Sequence, residues 1–254
     1  MHLYFFNQRI PSYGLCIVIG GIISNSIALF LLHKNRKNID DFILLEAFSL
    51  LGSFIGAKGL YLFISFKYID WSRIFDTNYF TQLMEGGFVF YGGLLGGLIS
   101  SFFASKIYNI NWESYINELI FLIPFGHAFG RIGCFLAGCC YGIPYAGRFA
   151  VTFPDNSFAP SGVQLFPVQL VEAIALFIIS LALFFIRFTR FKSIELSIYF
   201  ILYGILRSII EKYRYDSYRG IFLNLSTSQW ISLILIVLGL FIFYIKYHRR
   251  KEYG

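Results

Sequence analysis

Residues 126–142 read GHAFGRIGCFLAGCCYG. An arginine, a histidine, five glycines and three cysteines stand in seventeen residues, inside a longer stretch that is otherwise apolar. A charge in so greasy a setting belongs either to a soluble core, where it must be paired, or to a membrane span, where an arginine near the bilayer centre costs about 2.5–3.5 kcal/mol on insertion scales. The rest of the chain decides between these. It is 57% hydrophobic and only 14% charged, with mean hydropathy +0.66, whereas a globular domain carries about a quarter charged residues. Apolar runs long enough to cross a bilayer recur from end to end, so the fold class is all-α, a polytopic membrane protein of about seven transmembrane helices with short extramembrane loops.

Spans are expected at 12–34, 42–66, 87–107, 115–141, 167–187, 194–213 and 229–247, within a single integral membrane domain covering 1–254. The third is glycine-laden and the fourth is interrupted by Gly126, Arg131 and Gly133, so both are candidates for bent or re-entrant segments. The first run is followed by no small-residue cleavage site and is taken as a retained span. No repeat is found. The net charge of +7 is a topology signal and gives no reason to expect nucleic acid. Connections after spans 1, 3, 5 and 7 hold eleven Lys and Arg, Arg187 and Arg190 among them, against seven on the other side, Arg219 among them. The excess puts the C-terminus in the cytoplasm and the N-terminus outside, with the loop 143–166 also outside.

Ionisable residues inside spans are functional suspects, and the most informative lie in YGILRSIIEKYR (203–214). Spacings of four and seven put Glu211 and Arg214 within about 40° of Arg207 on one helical face. One reading is an ion pair that lets an arginine sit in a bundle; the other is a clamp for an anionic group, with Glu211 orienting the guanidinium. With Arg131 from span 4, three cations converge on what a phospholipid headgroup needs. His127 lies one turn before Arg131. It is either a hydrogen-bonded core histidine or a proton acceptor. The glycines of EGGFVFYGGLLGGLIS (85–100) have small-xxx-small spacing, suited to close helix packing and to shaping a cavity wall. Cys134, Cys139 and Cys140 lack a CxxC pair or histidine partners, so no metal is expected; packing, a disulfide on the outer face, or a covalent cysteine intermediate stay open.

Five stretches together resemble the prolipoprotein diacylglyceryl transferase family: SYGL (12–15), FYGGLLGG (90–97), GRIGCFLAGCCYG (130–142), FPVQLVEA (166–173) and YGILRSIIEKYR (203–214). The resemblance covers the chain from Tyr13 to about Arg214. It implies transfer of the diacylglyceryl group of phosphatidylglycerol to the lipobox cysteine thiol of a secreted prolipoprotein, with release of glycerol phosphate. It also implies a bacterial inner membrane location and no cofactor, phosphatidylglycerol serving as co-substrate. Partners are then membrane phospholipid and the prolipoprotein, with oligomeric state open and a monomer admissible. Arg131 and Arg207 match the family's essential arginines and Glu211 its following carboxylate. Tyr13 and Gly92, Gly93, Gly130, Gly133 and Gly142 match positions lining the lipid site, to which Arg214 is added as a third cation. Gln169 and Glu172 match an element taken as structural. The chain departs from the family where Tyr91 replaces a histidine proposed as base, where Cys134 replaces an asparagine, where Cys139 replaces a glutamate, and at Asn117. The proton-handling half is therefore altered, with Tyr91 and His127 as the candidates near it, and the divergent GCCYG form leaves open another acceptor such as a glycan. A lipid or small-solute transporter is the alternative from another class, since broken spans and midplane charges serve transport equally well.

Overall fold

In a computed structural model of the chain, residues 2–5, 8–189, 191–215, 221–222 and 225–253 are described; Arg190 and Arg219 of the charge count lie outside them. Nine helices run in order among the described residues: α1 Ser12–Lys34, α2 Ile39–Ile64, α3 Thr77–Glu85, α4 Phe90–Ile107, α5 Trp112–Leu119, α6 Leu122–Ala137, α7 Val168–Ile186, α8 Glu195–Glu211 and α9 Thr227–Tyr253. Among the described residues sheet is confined to three two-stranded antiparallel pairs, β1 (His2–Phe5) with β2 (Gln8–Pro11), β3 (Val151–Thr152) with β4 (Gln164–Leu165) and β5 (Ile221–Phe222) with β6 (Leu225–Ser226), of which the second matters for the site. By length and composition α1, α2, α7 and Thr227–Lys246 of α9 can each cross a membrane. Two bent pairs, α3–α4 at 81° and α5–α6 at 49°, raise that number to six if each pair is one span. The expected sixth span is α8, which at 17 residues is shorter than these.

The chain divides into two compact units, residues 32–115 and residues 1–31 with 116–254. In the first, α2 starts where Asn38 accepts a hydrogen bond from the Asp40 amide, with Asp40 and Asp41 in the first turn to complement the helix dipole. Along the seam between α2 and α4, Gly92 and Gly96 stand against Gly56 and Gly52. A Cβ on Gly92 would land on the Gly56 carbonyl oxygen, and one on Gly96 would lie 3.0 Å from the Gly56 Cα. This is the small-residue packing that lets helix backbones touch in a medium with no hydrophobic drive between helices. The 81° bend between α3 and α4 is closed by Lys58. Its ammonium donates to the carbonyls of Leu83 and Gly86 (2.6 Å for the latter) and sits 5.0 Å from the ring centres of Tyr61 and Phe88. A buried cation is accommodated because α3 ends in carbonyls that have no helical partner.

In the second unit the break in the expected fourth span is at Ile120–Phe121, and α6 runs on through Gly126, Arg131 and Gly133 to Ala137. The cause is Pro124, which lacks an amide hydrogen and whose ring would collide with the carbonyl four residues back, that of Ile120. Ser180 of α7 donates to the Phe121 carbonyl (2.8 Å), which the Phe125 amide reaches only at 3.4 Å. Arg187, counted above as a loop charge, is buried: it pairs with Glu118 and lies 5.3–5.8 Å from the rings of Phe121, Phe184 and Phe188. The loop 143–166 folds through β3 and β4 around Phe153, Ala159 and Leu165, which pack with Phe135 of α6.

Candidate functional site

Arg131 and Arg207 sit on α6 and α8 of the second unit, and each has a carboxylate. Arg131 Nε is 3.1 Å from Glu172 Oε2 on α7. Arg207 Nη2 is 2.8 Å from Glu211 Oε2 one turn on, and donates to Ser228 Oγ of α9 at 3.2 Å. All four ionised groups are essentially withdrawn from solvent. Neither guanidinium is saturated by these contacts, since five donors fan out from each. His127 is within electrostatic reach of both arginines, and its ring meets Tyr203 of α8 edge-on at 5.2 Å. Tyr203, itself stacked on Tyr199 at 5.9 Å, also acts on Arg131. Arg131, His127, Tyr203 and Arg207 therefore form one buried polar cluster, walled by α6, α7 and α8.

Tyr13, near the start of α1, is half-exposed and reaches the edge of this cluster, where Arg131 and the three clustered thiols all act on it. Gly133 lets α1 close on α6: a Cβ there would come within 3.1 Å of the Tyr13 ring and 3.2 Å of Cys16 Cβ. Gly130 faces open space, with nothing within 4 Å of such a Cβ. Gly142 is squeezed between backbones, a Cβ meeting the Phe166 carbonyl oxygen directly and that of Tyr213 at 2.9 Å. There the chain after α6 pairs with the chain after α8, Gly142 opposite Arg214. Arg214 is consequently not on the helical face shared by Arg207 and Glu211. The helix stops at Glu211, Lys212 and Tyr213 turn, and the bridge to Gly142 carries Arg214 toward the cysteines, where its charge acts on Cys140. Tyr91, Gly92 and Gly93 belong to the other unit; Tyr91 is buried in α4, Gly92 packs on α2, and Gly93 makes only ordinary contacts.

Two residues taken as structural prove to be tied to site residues. Glu172 is the counter-ion of Arg131, and Gln169 donates to the Cys139 carbonyl at 2.8 Å. The signal was present: a buried arginine without a carboxylate on its own helix needs one from a neighbour, and Gln169 and Glu172 share a face of α7. Tyr203 and Ser228 were missed, although Tyr203 stands one turn before Arg207. Cys134, Cys139 and Cys140 carry free thiols whose sulfurs lie within 4.8 Å of one another.

Two guanidiniums buried in a helical bundle, each steadied by a carboxylate and with donors to spare, are groups chemically suited to a phosphate ester. Comparison by sequence gives the class its name: over residues 2–245 the chain belongs to the prolipoprotein diacylglyceryl transferase family, and it is a multi-pass membrane protein and a transferase by that membership. It is 35% identical over 251 residues to the phosphatidylglycerol–prolipoprotein diacylglyceryl transferase of Clostridium tetani, covering 97% of each chain. It is 32% identical to enzyme 2 of that name from Clostridium perfringens, over 98% of this chain and 96% of the relative. With the enzyme of Rickettsia conorii it shares 30% identity, over 90% and 87%.

Proposed function

We propose that this protein, as one integral domain, moves the diacylglyceryl group of phosphatidylglycerol onto the cysteine thiol of a prolipoprotein. The carbon–sulfur bond forms at the glyceryl carbon, its bond to the phosphate oxygen breaks, and glycerol phosphate leaves with the electron pair. The observation that carries this reading is the pair of buried arginines, Arg131 and Arg207, each held by a carboxylate and both acting on His127. In such a site donors aimed at developing charge do not have to reorganise when it appears, and low dielectric strengthens them. Arg131 and Arg207 hold the phosphate and the charge growing on the leaving oxygen. Glu172 and Glu211 fix the planes of the guanidiniums. Tyr13 and Gly130 line the approach of the lipid, Gly133 seats Tyr13 against α6, and Arg214 adds positive charge at the rim. His127 is the side chain best placed to take the thiol proton at this cluster; Tyr91 belongs to α4 of the other unit.

The enzyme works in the bacterial plasma membrane with its N-terminus outside, where both a secreted acceptor and the outer-leaflet donor are found. The test uses full-length protein in vesicles of phosphatidylglycerol and phosphatidylethanolamine, with a peptide carrying a single lipobox cysteine. Glycerol phosphate and a thioether-linked peptide are expected in equal amounts, with none when phosphatidylethanolamine is the only lipid. Release of glycerol phosphate without peptide modification would refute the thiol acceptor; movement of lipid between leaflets without either product would identify a transporter.

A further inference from the structure

The end of α6 does more than stop a helix. Gly138, in the left-handed conformation (φ 70), donates its amide to the Phe135 carbonyl at 3.0 Å, and Cys139 donates to the Cys134 carbonyl at 3.1 Å. These two bonds complete a Schellman cap, and the motif by itself brings the side chain of Cys139 toward that of Cys134. Two apolar residues would serve the cap there. The cap does not account for Cys140. That residue follows a finished terminus yet is also left-handed, at φ 57, a conformation that costs an L side chain about 1–2 kcal/mol. Its sulfur completes a group of three within 4.8 Å of one another. Both flanks are pinned: Gln169 donates to the Cys139 carbonyl, and Tyr215 donates to that of Tyr141 at 3.2 Å. A strained residue persists where its surroundings over-determine it, and such places cluster at functional sites.

Three sulfurs so placed fit a thiophilic metal ion. Zinc–sulfur bonds of about 2.3 Å in tetrahedral geometry put sulfurs about 3.8 Å apart, so side-chain rotations closing up to an ångström suffice. A set of thiols alone selects zinc or copper(I) over magnesium, calcium or manganese. Three thiolates around a divalent ion carry one net negative charge, and Arg214 and Arg131 both act on Cys140. Three protein ligands leave a fourth position open, the arrangement of catalytic zinc sites, whereas structural zinc is closed by four. The group stands one turn beyond Arg131 on α6, beside the proposed phosphate site.

We propose that Cys134, Cys139 and Cys140 hold a zinc ion whose fourth position receives the acceptor's cysteine thiol. The thiol's proton passes to His127, as in the transferase reading, and the thiolate displaces a metal-bound water. The coordinated sulfur then supplies the electron pair that forms the bond to the glyceryl carbon, and the phosphate oxygen keeps the pair of the bond that breaks. The resulting thioether is a weak ligand and gives way to water, and the proton held by His127 leaves with the glycerol phosphate. Metal binding is independent of the transferase reading; the assignment of the fourth position rests on it.

Full-length protein purified in detergent from zinc-replete cells, without chelator or oxidant, is expected to carry about one zinc per chain. Cys139→Ser and Cys140→Ser are expected to lower zinc affinity roughly tenfold or more, and Cys16→Ser to leave it unchanged. Retained binding of phosphatidylglycerol in the two site variants establishes that they are folded. Wild-type zinc content no higher than that of Cys140→Ser, or a disulfide among the three cysteines in the protein as isolated, would overturn the site. For the fourth position, cobalt(II)-loaded protein in detergent free of phosphatidylglycerol is titrated with the single-cysteine peptide and with its serine counterpart. A change in the cobalt absorption with the cysteine peptide only is expected; identical spectra would overturn the thiol assignment. Both readouts stand apart from the vesicle assay, so loss of the metal proposal and loss of the transferase reading are told apart.

Discussion

The pair Arg131–Glu172 allows the sharpest test of how the site is built. The two side chains are 11% and 2% exposed and 3.1 Å apart, on different helices, so neither charge has water to fall back on. Glu172→Leu leaves a guanidinium that keeps its charge at any accessible pH, buried with no counter-ion. Breaking a buried pair from one side costs about 3–5 kcal/mol, whereas replacing both members by apolar residues of similar volume is often neutral. Arg131→Met with Glu172→Leu should therefore unfold within about 1 kcal/mol of wild type. The single Glu172→Leu variant should lie 3–5 kcal/mol lower, giving a coupling of at least about 2 kcal/mol. Unfolding of the purified protein in mixed micelles with increasing denaturing detergent measures these differences.

Activity should not follow stability. The double variant regains its fold but has lost the phosphate-holding group, so glycerol phosphate release should stay at background. Glu172→Gln keeps the shape and one acceptor, and should fold while slowing turnover about 10²–10³-fold, the usual cost of disturbing one donor to a developing oxyanion. Costs that simply add in the double variant would refute the pairing. Wild-type turnover by the double variant would remove Arg131 from the reaction.

Arg207→Lys should fold yet lose about two orders of magnitude in turnover in the vesicle assay, because an ammonium cannot serve Glu211, Ser228 and a phosphate in one plane. Gly138→Ala should lower stability by at least about 1–2 kcal/mol, from the left-handed backbone and from a Cβ 2.6 Å from that of Ser157; Ser157→Gly in the same chain should recover only the second part, read by the same micelle unfolding. In the loop before α3, hydrogen bonds from Arg73 and from the Tyr79 and Asn78 amides hold the Asp76 carboxyl below the usual carboxylate range. A depressed folded value means the cap is fully present above the unfolded value near pH 4 and is lost as pH falls through the folded one. Amide exchange at Asn78 and Tyr79 should therefore stay protected at pH 5 and become faster in Asp76→Ala, and equal exchange in the two would dismiss the cap.

How far the sequence carries one into this molecule depends on whether a feature is set by neighbours along the chain or by neighbours in space. Span positions follow from uninterrupted apolar runs, and the expected 12–34 coincides with α1 because nothing tertiary competes with it. The break in the fourth span was assigned to Gly126, Arg131 and Gly133, but those residues are tolerated in a packed helix; Pro124 alone removes a hydrogen bond and forces the bend. Arg207 with Glu211 is an i, i+4 pair and was legible outright; for Arg131 the sequence carries the need for a carboxylate from a neighbouring helix, and the fold decides that it is Glu172. The same division governs the cysteines. Counted along the chain, Cys134 is five and six residues from its partners, a spacing that matches no metal motif, and on a continuing helix Cys134 and Cys139 would lie about 140° apart. The left-handed turn at Gly138 reverses that geometry and folds positions 139 and 140 back over the last turn. The glycine between the cysteines was thus the informative residue: taken as a helix terminus it returns Cys139 to Cys134, and the left-handed backbone of Cys140 itself adds the third thiol.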